Sequence, residues 1–348
     1  MISKFVVVQT VSINELLSNG IKSVEKYNES KADILRVNLG RISQADIPIC
    51  ISILKCIKKE LILDIPFPGQ KRRIGVFSSF GEKQLDLQID KGQNLIITHN
   101  LQVCLKKNYP FYHLELPDLR EINVTLSSII LSGDGDGAFE ICEKTSDGYI
   151  IRAKNSFQIF SGQTLHFKSD NRIKKGNLNF YLNIIKEVRP GAVALSFVED
   201  YKIVSIAKKA LALMHTKVIS KIETPTGISN VQQIAAVSDA VMLGRGDLGI
   251  YGAAHDLFYF QRRAITLAHN QNTPIFIATD VLTSVARRWI PSRSDLIDLA
   301  CCMEMGADGI VLTAGVPVTD DLLKIIASTS KYNKQTIKNS RIFLSAAR

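Results

Sequence analysis

The sequence predicts a (β/α)8 (TIM) barrel interrupted by an inserted small β-barrel-like lid domain. Three observations carry that expectation. Strand-like and helix-like runs alternate over residues 1–73, the alternation stops over 74–167, and it resumes over 168–348. Strand candidates followed by helical patterns make eight βα units, the number a closed parallel barrel needs. An open doubly wound sheet is the alternative, but no Gly-x-Gly-x-x-Gly follows the first strand.

Residues 4–10 (KFVVVQT) read as a buried strand. Residues 12–28 then carry Ile13, Leu16, Leu17, Ile21 and Val24 at helical spacing, with Ser12 placed to cap. A second strand is expected over 33–39, a helix over 46–59 and a third strand over 61–65. Beyond residue 74, short runs such as DLQI, NLIIT, FYHLEL, FEICE and GYIIRA are separated by Gly, Asn and Asp. That rhythm predicts a small antiparallel β domain. Within it, the acidic run over 132–137 has too few spaced carboxylates for a calcium loop and reads as a hairpin turn. Five more strands are expected over 192–197, 217–222, 240–244, 274–279 and 309–313. Helical patterns lie near 177–188, 199–213, 226–236, 256–270, 293–305 and 320–329, and a basic C-terminal tail follows.

Composition narrows the function classes. Of 348 residues, 46% are hydrophobic and 22% charged, which excludes a disordered polymer, a collagen and a disulfide-stapled miniprotein. The formal charge of +10 favours anionic partners, and steering of small anions accounts for it. A nucleic-acid role is not expected, since no recognition motif or basic-aromatic platform is present. The six cysteines form no C-x-x-C and have no His at zinc spacing, which predicts reduced thiols in a cytoplasmic protein. The N-terminal apolar run is too short for a secretory signal, and no stretch of ~18 apolar residues predicts a membrane span. The sequon at Asn123-Val124-Thr125 then has no use.

In a barrel enzyme the reacting side chains stand at the C-terminal ends of strands. Here those ends carry Arg36 and Asn38, then Asp64, then Lys221 and Glu223, then Gly246 and Asp247, then Thr279. A lone charge at a strand end is ordinarily just solvated, but five strands ending this way on one face form a pattern. Glu223 and Asp247 can share one hard divalent cation that keeps open positions for a ligand. Strand period two puts Lys221 on the same face as Glu223, where its ammonium can stabilise developing negative charge. Glycines around Asp247 let backbone amides approach an anion, especially if a short helix starts there. The set describes a site for a small anionic acid chelated by Mg2+ or Mn2+.

At these residues the sequence resembles the pyruvate kinase family. Ile219-Ser-Lys-Ile-Glu223 followed by Gly244-Arg-Gly-Asp-Leu-Gly249 is similar to the paired signature of that family. Arg36-Val-Asn-Leu, Leu63-Asp64, Ala278-Thr279 and Pro291-Ser-Arg293 match further family segments, and the β insertion falls where the family has its mobile lid. The resemblance implies phosphoryl transfer between phosphoenolpyruvate and ADP, giving pyruvate and ATP. It implies that Glu223 and Asp247 bind the divalent ion, Lys221 stabilises the transferring phosphoryl group, and Arg36 contacts the phosphate. Gly246 and Asp247 would receive the substrate carboxylate through their amides, and Thr279 would lie near the carbon that takes a proton. Asn38 and Asp64 would remain from a site for K+. A homo-oligomer is implied as well.

The departures from the family cluster on the ADP side. Gly40-Arg41 stands where the family has serine-histidine, and Ile65-Pro-Phe-Pro-Gly69 where it has threonine-lysine-glycine-proline-glutamate. Lys71, Arg72 or Arg73 would have to supply the missing basic group. Val8-Gln-Thr-Val-Ser12 replaces a nucleotide-side segment, Phe160-Ser161 replaces a lysine pair in the lid, and Thr313-Ala-Gly-Val316 replaces serine-glycine-glutamate-threonine. The family's C-terminal regulatory domain is expected to be missing. A kinase therefore competes with two rivals: a lyase forming an enolate from a small 2-oxo acid, and a catalytically weak paralogue that binds or regulates.

Overall fold

The computed structural model describes residues 5–330 apart from 76, 80, 81, 85, 100–111, 169, 171, 172 and 253. The basic tail expected after 330, and Cys104, lie outside the described residues. Eight parallel strands form the barrel. They are β1 (Val6–Val11), β2 (Ile34–Asn38), β3 (Leu61–Gln70), β4 (Ala192–Ser196), β5 (Lys217–Ile222), β6 (Ala240–Gly244), β7 (Ile275–Ala278) and β8 (Gly309–Leu312). Each pairs with the next, β8 returns to β1, and pairing of β2 with β3 makes the sheet continuous around the ring.

Side-chain alternation splits these strands between two cores. Val8, Ile62, Ala194, Ile219, Met242, Phe276 and Val311 fill the barrel interior. Their neighbours Val7, Leu63, Val193, Val218, Val241, Ile277 and Ile310 face outward, into a layer shared with the helices. Truncating a Leu or Ile of either layer to Ala costs about 2–5 kcal/mol. Toward the C-terminal end the inward series turns polar: Arg36, Asp64, Ser196 and Lys221 continue the faces that Ile34, Ile62, Ala194 and Ile219 begin. Register aligns Asn38 with Asp64, Asp64 with Ala194 and Ala194 with Ile219, so the polar ends sit at neighbouring levels.

The helix expected over 12–28 is two helices, Ile13–Asn19 and Ile21–Asn28, because Gly20 takes φ 57° between them. Ser12 caps the first, its side chain accepting from the Glu15 amide at 3.3 Å. The pattern over 226–236 likewise divides into Pro225–Ser229 and Val231–Val237, the first capped by Thr224. A short helix, Arg245–Tyr251, begins directly after β6. No helix among the described residues is long and apolar enough to cross a membrane, and the described cysteines are free.

Two compact units divide the described chain. One runs up to Pro68 and continues over Gly176–Leu248 and from Gly252; the other is Gly69–Lys175 with Gly249–Tyr251. The second unit is a β domain. Strands Leu165–Phe167, Ile129–Ser132, Gly137–Lys144, Gly148–Ala153, Asn94–Thr98, Tyr112–Glu115, Phe77–Ser79 and Glu82–Gln84 lie side by side in that order. Leu95, Ile97, Leu114, Ile130, Phe139, Ile141 and Ile151 make its core. The acidic run is the hairpin turn between Ile129–Ser132 and Gly137–Lys144. The domain is not wholly antiparallel, since Asn94–Thr98 pairs in parallel with Tyr112–Glu115. The chain between that pair is long enough for a crossover, which a parallel pair requires.

Candidate active site

Lys221 is the centre of the site. Its side chain is only 7% exposed, and Nζ lies 3.1 Å from Asp64 Oδ2, 3.0 Å from Glu223 Oε1 and 3.3 Å from Ser196 Oγ. The ammonium is thus held by three side chains from three neighbouring strand ends. Arg36 reaches the same carboxylate from β2, with Nε 3.0 Å from Asp64 Oδ2 and a second, very close contact through its terminal nitrogen. Its other terminal nitrogen donates to Thr10 Oγ1 at 3.0 Å. The Phe197 amide donates to Glu223 Oε2 at 2.9 Å, which fixes the second carboxylate.

Burial alone would push the Asp64 carboxyl up, yet Lys221 and Arg36 beside it outweigh burial and hold it below the ordinary carboxylate range. Burial likewise works against the charged form of Lys221, and Asp64 and Glu223 reverse that, raising it above an ordinary lysine. Both groups are therefore ionised at neutral pH. A depressed Asp64 stabilises the fold above the ordinary aspartate pKa of ~4, and that stability is lost as pH falls through its folded value. The raised Lys221 contributes below the ordinary lysine value, and its share is lost only as pH rises past its folded one. Urea midpoints taken below pH ~4 should therefore fall more steeply for the native chain than for Asp64→Asn. Equal slopes would contradict the ionised pair.

Glu223 and Asp247 are 3% and 5% exposed, at the end of β5 and in the first turn of helix Arg245–Tyr251. Gly244 keeps the space beside Glu223 open, since a Cβ there would come 2.8 Å from Cγ and 2.9 Å from Oε1. Two buried carboxylates just beyond the ends of adjacent strands are hard oxygen donors that suit Mg2+ or Mn2+. Among the described residues no three His, Cys, Asp or Glu side chains converge on a metal site. An ion held here would therefore draw its remaining ligands from water and substrate, as Mg2+ prefers. The residues that the resemblance implies for K+ are Asn38 and Asp64. Asn38 Oδ1 accepts from the Gly40 amide at 2.8 Å, and the Asp64 carboxylate is already shared by Arg36, Lys221 and Ser196.

Thr279 closes the array after β7. Its φ of 74° is unusual for a β-branched residue, and Asp280 and Leu282 follow at 54° and 55°. Its carbonyl accepts from Arg245 Nε at 3.0 Å and from a terminal nitrogen of the same guanidinium at 2.7 Å. Three participants escape a reading of the sequence. Ser196 had a usable signal, since it continues the inward face of β4. Thr10 and Asp298 had none, because their partners are 26 and 53 residues away. Of the basic residues offered as ADP-side substitutes, Arg72 is buried and Arg73 donates to the Gly162 carbonyl at 2.8 Å within the β domain. In the layer between barrel and helices, burial pushes the Cys50 and Cys302 thiols up to about 12, which disfavours the nucleophilic thiolate.

The pyruvate kinase barrel-domain family model matches residues 4–317. The chain belongs to the pyruvate kinase family. Among curated relatives it is similar to the pyruvate kinase of Borreliella burgdorferi, 24% identical over 99% of this chain and 72% of that protein. The pyruvate kinase of Methylorubrum extorquens is 24% identical over 91% of this chain and 66% of its own length. That of Thermotoga maritima is 35% identical over 43% of this chain and 33% of its own length. The chain thus spans about two thirds of the length of the relatives it matches most fully.

Proposed function

We propose that this barrel catalyses phosphoryl transfer between phosphoenolpyruvate and ADP with a divalent metal. The observation that carries the reading is the ammonium of Lys221, buried and gripped by Asp64 and Glu223 at 3.1 and 3.0 Å. Phosphoryl transfer is largely a matter of position and charge neutralisation, which a fixed cation supplies.

Each residue has a part in the proposed reaction. A divalent ion held by Glu223 and Asp247 would neutralise charge on the substrate's oxygens. The backbone amides of Gly246 and Asp247 receive the substrate carboxylate. Arg36 contacts the phosphate, its guanidinium oriented by Asp64 and Thr10. As the bond between phosphorus and the enol oxygen breaks and one to a β-phosphate oxygen of ADP forms, Lys221 stabilises negative charge on the transferring group and then on the enolate. Protonation of the methylene carbon beside Thr279 completes pyruvate.

The test is pyruvate formation from phosphoenolpyruvate and Mg2+, with and without ADP. Release that depends on ADP is expected. A second reading, an enolate-forming lyase acting on a 2-oxo acid, is favoured by one observation: Lys221, Glu223 and Asp247 all belong to the barrel unit, while the family departures fall on the ADP side. Metal-dependent entry of solvent deuterium into the pyruvate methyl group without any kinase activity would move the assignment there.

A further inference from the structure

Arg245 joins three separate elements. It is the first residue of the helix that carries Gly246 and Asp247. One face of its guanidinium meets the Thr279 carbonyl at 3.0 and 2.7 Å. Its terminal nitrogens also meet Asp298 on helix Arg293–Glu304, at 2.6 Å to Oδ1 and 2.8 Å to Oδ2. That is a bidentate fork, the geometry a guanidinium forms best with a carboxylate. The Arg245 side chain is 12% exposed, so the pair is shielded from solvent competition on one side. Around it, Gln261 Oε1 and Cys302 Sγ lie 3.4 and 3.9 Å from the same terminal nitrogen.

A left-handed backbone at a β-branched residue costs of order 1–3 kcal/mol and persists only when its surroundings impose it. At Thr279 the two guanidinium bonds to its carbonyl are that imposition, and they need a guanidinium that cannot rotate away. Asp298 removes that freedom. The loop beyond is tied down as well, since the Ser284 amide donates to Asp295 at 3.0 Å.

We propose that Asp298 is a positioning residue: it locks Arg245, which fixes Thr279 in the left-handed conformation that sets where its side chain stands relative to the substrate. Asp298 itself touches no reacting group. The inference deepens the kinase reading and rests on it for its catalytic consequence.

The experiment compares Asp298→Asn and Asp298→Glu with the native chain. Pyruvate formation is followed by kcat and KM, and hydrogen–deuterium exchange is measured for peptides covering 276–286 and 217–222. For Asp298→Asn we expect kcat to fall ~10–100-fold, because a small misplacement of a reacting group costs that much. KM for phosphoenolpyruvate should change less than about threefold, since ground-state binding is untouched. Exchange should quicken over 276–286 and stay unchanged over 217–222, and Asp298→Glu should restore part of kcat. Unchanged kcat with unchanged exchange overturns the proposal. So does faster exchange spread over both peptides, which marks a general loss of stability. If the native chain forms no pyruvate, the kinase reading fails separately, and exchange alone decides the clamp: quickening confined to 276–286 supports it and its absence overturns it.

Discussion

Lys221→Met is expected to abolish pyruvate formation and, separately, to weaken the fold. Removing one electrostatic donor from an active site costs about 10²–10³ in turnover. Here the donor is also the cation shared by Asp64 and Glu223, so its loss takes that charge from two buried carboxylates, of which Asp64 keeps its pair with Arg36. Breaking a buried pair by deleting one partner costs about 3–5 kcal/mol. Methionine fills a similar volume and supplies no charge, so both effects should appear together. The check is a steady-state assay alongside urea denaturation. Turnover within tenfold of the native chain would remove Lys221 from the chemistry, and an unchanged urea midpoint would contradict the ion-pair geometry.

Glu223→Gln is expected to lower Mn2+ affinity by at least ~100-fold, a loss even outer-shell changes can reach at metal sites. The side chain keeps its shape, and its one amide oxygen still accepts from either the Phe197 amide or Lys221, which meet different oxygens of Glu223. What disappears is the charge that a hard cation needs. Free Mn2+ measured by electron paramagnetic resonance gives the affinity without relying on turnover. Affinity within threefold of the native value would show that the metal sits elsewhere.

Most of the barrel was legible in the sequence because strand and helix periods differ and because inward-facing polar residues come only at strand ends. Lys221-Ile-Glu223 illustrates this: two charged residues at the end of a strand, spaced by two, must face the same way. Breaks inside elements were harder to see. Gly20 splits a helix whose apolar spacing runs on across it, and the parallel pairing of Asn94–Thr98 with Tyr112–Glu115 depends on which strands meet. The same limit applies to the site. Its primary charges follow from strand register, which is local. Thr10 on Arg36 and Asp298 on Arg245 are tertiary pairings, fixed by where distant elements pack. The state of Asp64 was also hidden, since only the structure brings Lys221 and Arg36 onto one carboxylate.

Phosphorus-31 nuclear magnetic resonance on phosphoenolpyruvate, ADP and Mg2+ with the purified chain tests the central claim most directly, because it follows the transferred atom itself. The account predicts that the phosphoenolpyruvate resonance decays as the γ-phosphate resonance of ATP grows, and that Lys221→Met prevents both. Decay into inorganic phosphate alone, or a phosphoenolpyruvate resonance that persists in the native chain, would contradict it.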